Sequence, residues 1–233
     1  MSGDGSVDPV ADRSPRNPRH MNFPTYRDDE AAADRAIHIV GLIVAFGGLS
    51  WLLARSLPNT NVAGAVALIV YAVGVLCMLG ASAAYNLCPP SPLKATLCLV
   101  DRSMIFVMIA GSYAPYALHA LPPNIGLPLF IVVWTLALVG VVLTLFWFER
   151  FQKVSLWLYL GMGWLLVAVL RPLIAWLPPT VLYLLLGGGL TYSLGTVFHS
   201  WERLRFHNAI WHLLVLVAVL THLAAIMLIF TPH

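Results

Sequence analysis

Residues 62–87 read VAGAVALIVYAVGVLCMLGASAAYNL, and this run, which holds no Asp, Glu, Lys or Arg, decides the class of fold. A helix rises about 1.5 Å per residue, so roughly 20 residues cross a hydrocarbon core of about 30 Å. The apolar residues are continuous and do not alternate, which indicates a helix and excludes a barrel strand. Working outward, comparable runs recur at 36–54, 101–120, 125–148, 154–176, 180–198 and 208–230, the fifth interrupted by Arg171-Pro172. Breakers separate them: Pro58-Asn59, Pro89-Pro90-Ser91-Pro92, Pro122-Pro123-Asn124 and Pro178-Pro179. The expected fold is an all-α integral membrane bundle of seven transmembrane helices over residues 30–233.

Composition agrees. Only 10% of the 233 residues are charged and 60% are hydrophobic, against about 25% charged in soluble domains. Such a chain cannot cover a water-facing surface. Residues 1–29 are polar and rich in Asp, Arg, Pro and Ser. They read as a disordered cytosolic tail, with the apolar run from Ala36 acting as an uncleaved signal anchor. Cys77, Cys88 and Cys98 form no CxxC pair and read as packing residues.

Orientation follows from the cations. Of thirteen Lys and Arg, only Arg55 and Arg171 fall on one side. The others, among them Arg27, Arg35, Lys94, Arg150, Lys153, Arg203 and Arg205, share the other side with every Asp and Glu. The N-terminus is therefore expected in the cytoplasm and the C-terminus outside, in the plasma (inner) membrane if the source is bacterial. Membrane lipids are the expected partners, and nucleic acid is not one.

Ionisable groups inside membrane helices are costly and face the bundle interior. Here they gather at the cytosolic ends: His38 on span one, Ser82, Tyr85 and Asn86 on span two, Asp101 and Arg102 on span three, Asn208 and His212 on span seven. Ser82 with Asn86, and Asn208 with His212, are each one turn apart and share a helix face. Together with Asp101 they make a polar pocket in the cytosolic leaflet. His38 and His222 read as interhelical hydrogen-bonding groups, and Gly187-Gly188-Gly189 as a close helix contact.

These residues carry a resemblance. Ser82-Ala-Ala-Tyr85-Asn86, the run from Asp101 to Pro115, Gly161-Met-Gly-Trp164, the run from Gly188 to Gly195, and Asn208-Ala-Ile-Trp211-His212 together resemble the hemolysin III group of the progestin and adiponectin receptor family. The resemblance implies seven helices with the N-terminus inside. It also implies, as in ceramidase-like relatives, a zinc held by one histidine of span two and two of span seven. A span-three Asp orients the zinc-bound water for hydrolysis of a lipid amide. Those three ligand positions fall here on Asn86, Asn208 and His212, with Asp101 and Ser82 in the implied catalytic positions and Tyr85, Arg102 and His38 around the pocket. An amide oxygen is a poor substitute for imidazole on zinc. The expectation is therefore a degenerate zinc site without metal, in which Arg102 neutralises Asp101 and the two Asn side chains bond to Asp101 or to each other. The protein then binds a lipid or regulates; a metal-dependent lipid amide hydrolase is the alternative.

Overall fold

The structure, a computed structural model, describes residue 23 and residues 26–230. The expected disordered tail lies almost wholly outside them. Eight helices follow in order: α1 Asp28–Ser56, α2 Val62–Leu87, α3 Pro92–Pro115, α4 Pro123–Phe146, α5 Phe148–Gly163, α6 Leu170–Trp176, α7 Pro179–Ser200 and α8 His207–Phe230. A 3-10 stretch, Trp164–Val169, joins α5 to α6, so the two form one helical segment, Phe148–Trp176.

Six segments are long and apolar enough to cross a membrane: Asp28–Asn59, α2, α4, Phe148–Trp176, α7 and α8. The exception is α3, the segment expected to be the third span. Asp101, Arg102 and Lys94 lower its hydropathy. Its position accounts for this. It packs extensively on α2 and α4, and Asp101, Ser103, Phe106 and Tyr113 are all buried. A helix surrounded by other helices needs no apolar face toward lipid. By contrast α1 exposes Ile39, Val40, Ile43 and Phe46, and α4 exposes Ile131, Leu138 and Val142. Faces this apolar are not left against water.

Helix boundaries follow local chemistry. α3 begins nine residues before the expected 101, because Ser91 caps it by accepting from the Lys94 N–H at 3.2 Å and Pro92 occupies its first position. The Lys94 ammonium turns back to bond the Tyr85 and Cys88 carbonyls at 2.9 and 2.7 Å, closing the end of α2. The fifth span breaks at Trp164–Val169 and not at Pro172. Pro172 falls in the first turn of α6, where no backbone N–H is required.

Packing arranges the helices as a ring in which α1 touches both α2 and α8. At the α2–α3 crossing, a Cβ on Gly111 would lie 3.2 Å from the Val70 carbonyl oxygen, so small residues there set the close approach. Sparser contacts join α5 to α3 and α7. Tyr113 bridges that gap: its hydroxyl bonds the Met162 and Gly163 carbonyls at 2.6 and 3.1 Å and accepts from the Leu166 N–H at 3.1 Å.

Candidate functional site

A cavity of about 1270 Å3, counting the space open to its surroundings, runs between α2, α3, α5, α7 and α8. Ser82, Tyr85, Asn86, Asp101, Arg102, Asn208 and His212 all line one end. The antiparallel packing thus brings together the polar residues singled out on α2, α3 and α8, while His38 of α1 stands apart. Along α3 the cavity continues from Asp101 to Tyr116, about 22 Å at 1.5 Å per residue. Its deeper walls are apolar and aromatic, with Ile109, Leu156, Trp164, Leu185 and Val215 among them. One end is polar and the length is mostly apolar, with Ser112, Ser193 and His222 as polar exceptions along it.

His38 stands behind this end, in a small adjoining cleft that it shares with Ser82 and His212. Its Nε2 lies 3.2 Å from the Ser82 hydroxyl, an interhelical bond of the kind expected, and its Nδ1 is 2.8 Å from the Asp34 carbonyl oxygen. A carbonyl only accepts, so Nδ1 carries the proton. Ser82 then donates to Nε2. His222 packs edge to face on Tyr192 of α7, with ring centroids 5.6 Å apart, and its buried Nε2 has no hydrogen-bond partner among the described residues. Its ring lies so close to α7 that a Cβ on Gly188 would meet Nε2 at 2.3 Å; of the three glycines only Gly188 makes such a close contact, Gly187 facing open space and Gly189 an ordinary contact with Trp164.

Asp34 was not among the residues that the sequence reading singled out. It is buried on α1, one turn before His38, and its Oδ1 is 2.5 Å from His212 Nδ1. Its Oδ2 is 3.6 Å from His38 Nδ1, and the two imidazole centroids are 4.4 Å apart, edge to face. One donor atom from each of Asp34, His38 and His212 lies within 4.8 Å of the others. These residues could hold a metal ion. The sequence signal was the i, i+4 pair of acid and histidine at the edge of the first apolar run. Tyr26 lies above the same end, its ring 5.9 Å from that of His207; burial, with Asp34 nearby, pushes its phenol up to about 12.

Two expectations are corrected. Among the described residues, the ion pairs join Asp29 to Arg27 and Arg205, and Asp34 to His38 and His212. Asp101 and Arg102 make no direct ion pair, because neighbouring residues on a helix point about 100° apart, but Arg102 remains the principal opposite charge near Asp101, and both line the same end of the cavity. Asn86 does not reach Asp101 or Asn208. Its amide donates to the Ser82 carbonyl at 2.9 Å and weakly to the Ser82 hydroxyl at 3.5 Å, one turn back on its own helix. The implied zinc position therefore does not fit. It offers two amides, one of them turned inward, and a single imidazole already bonded to Asp34.

Comparison with known proteins gives the same family as the motifs. The model of the haemolysin-III related family matches residues 33–223. The Hemolysin-3 homolog of Bacillus subtilis (strain 168) is 34% identical over 187 residues, covering 80% of this chain and 88% of that protein. Hemolysin-3 of Bacillus cereus is 34% identical over the same length, with 85% of it covered. The human Monocyte to macrophage differentiation factor is 34% identical over 130 residues, 55% of this chain and 53% of its own. With its apolar helices and these relatives, the chain is a multi-pass membrane protein that belongs to the haemolysin-III related family.

Proposed function

We propose that this protein binds a membrane lipid within its helix bundle, the polar head among Asp101, Arg102, Asn208 and His212 and the hydrocarbon along the cavity. The observation that carries this reading is the continuity of one cavity, polar at one end and mostly apolar over the next 20 Å or so of helix. A soluble ligand would gain nothing from the apolar length. A lipid gains about 0.8 kcal/mol per CH2 moved out of water, but far less when it moves from bilayer to protein. The polar end must therefore supply the selectivity.

In this reading the chain crosses the plasma membrane seven times, with α3 as the third crossing, the N-terminus in the cytoplasm and the site in the cytosolic leaflet. The distribution of Lys and Arg supports the orientation. At one end Asp29 pairs with Arg205 and Glu30 accepts the Phe206 N–H at 2.9 Å, so the start of α1 and the α7–α8 loop lie on the same side.

The test is an inventory of small molecules released from protein purified in mild detergent. One amphiphile class at close to one per chain is the expected result. A bulk membrane profile at variable stoichiometry contradicts the reading. A second reading, a metal-dependent hydrolase of lipid amides, is favoured by the two imidazoles and carboxylate beside the polar end. Turnover of a long-chain lipid amide that chelator abolishes would select it.

A further inference from the structure

We propose that the chain holds a divalent transition-metal ion, zinc being the best fit, on Asp34, His38 and His212, a donor set centred on α1 and not on the α2–α8 positions that the family resemblance implies. This deepens the hydrolase reading by naming its metal site, and does not depend on what fills the cavity.

The argument begins with donor chemistry. Two imidazoles and one carboxylate are a standard catalytic zinc set, with a fourth position open to water or substrate. Harder ions prefer oxygen-rich sites, and this one is half nitrogen or more. No thiol contributes: Cys77, Cys88 and Cys98 do not belong to the group.

Geometry comes next. The three donors lie within 4.8 Å of one another. On a tetrahedral ion with bonds of about 2.0–2.1 Å, donor atoms sit about 3.3 Å apart. The Asp34–His38 distance of 3.6 Å is near that value, and the Asp34–His212 distance of 2.5 Å is shorter because a proton lies between the two atoms. Small side-chain shifts are enough to admit the ion. The His212 Nδ1 proton must leave as it does so, since a nitrogen cannot both donate to the carboxylate and ligate. His38 likewise gives up its bond to the Asp34 carbonyl if it ligates through Nδ1.

Position supplies the rest. Asp34 and His38 are buried in α1, and an acid within a membrane bundle needs a compensating partner. Arg35, its neighbour in sequence, is exposed. His212 lines both the small cleft and the large cavity, so an ion on His212 would adjoin the space where the lipid head is placed. The loss of imidazole at positions 86 and 208 is then answered by His38, which approaches from α1 and meets Ser82.

The experiment titrates chelator-stripped protein with zinc, and with cobalt for its tetrahedral absorption, while following proton release. We expect one ion per chain, about one proton or more released, and a tetrahedral cobalt spectrum. Asp34→Ala and His38→Ala should each weaken binding about 100-fold or more, because two donors rarely suffice. His38→Gln keeps a polar group for Ser82 and guards against misfolding. Asn86→Ala and Asn208→Ala should bind as the wild type does. No stoichiometric binding by the folded wild type overturns the proposal, as does binding that survives His38→Gln or disappears in Asn86→Ala. A lipid inventory on the same samples is independent: ordered lipid without metal leaves the cavity reading standing while this one falls.

Discussion

Asp34 accepts from one imidazole through its carboxylate and from a second through its carbonyl, and so organises the seam between α1 and α8. With chelator present, Asp34→Ala should destabilise the protein by about 1–3 kcal/mol, since His212 Nδ1 loses a buried acceptor. Asp34→Asn should lose less, because the amide oxygen still accepts. Thermal unfolding in detergent reads both, and equal stability of Ala and wild type would show that the contact contributes nothing. The sequence made most of this end legible, because Ser82, Asn86, Asp101, Asn208 and His212 are polar residues at one depth in apolar helices. It did not expose Asp34, which sits just before the apolar run among tail-like acids and looks solvated. It also misdirected Asn86, which was assigned to Asp101 by type but which helix geometry turns back onto Ser82; Arg102 lines the cavity beside Asp101 as a nearby opposite charge, without a direct ion pair.

The weak element is the α5–α6 segment. Its helix unwinds into 3-10 turns at Trp164–Val169, and the Met162 and Gly163 carbonyls find Tyr113 in place of the next turn. Tyr113→Phe should therefore cost about 1–3 kcal/mol by removing the hydroxyl that joins α3 to the Met162 carbonyl and the Leu166 N–H and should raise amide exchange around Leu166 above that in α2. Unchanged exchange would contradict the bridging role. Charge-free runs gave the positions of α2, α7 and α8 nearly to the residue, because caps and prolines flank them. The break in α5 left no mark of its own in the sequence. Arg171-Pro172 looked like the interruption, yet proline in a first turn is harmless, and the true break depends on a tyrosine from another helix. α3 is the converse case: the sequence reads it as a span, its polar start makes it the one expected span that is not long and apolar enough on its own, and burial against α2 and α4 explains how it holds Asp101 and Arg102.

Orientation and the contents of the cavity are properties of the whole molecule. Fusion reporters should give cytoplasmic activity at Pro90 and Arg203 and periplasmic activity after His233; periplasmic activity at Arg203 would reverse the orientation. The central claim is that a lipid lies inside the bundle, and it is tested most directly by native mass spectrometry of three proteins in mild detergent. These are the wild type, Ile109→Trp with the added ring in the cavity, and Ile69→Trp on the exposed face of α2. The account predicts one retained lipid on the wild type and on Ile69→Trp, and its loss from folded Ile109→Trp. Equal lipid retention by the two tryptophan variants would contradict it.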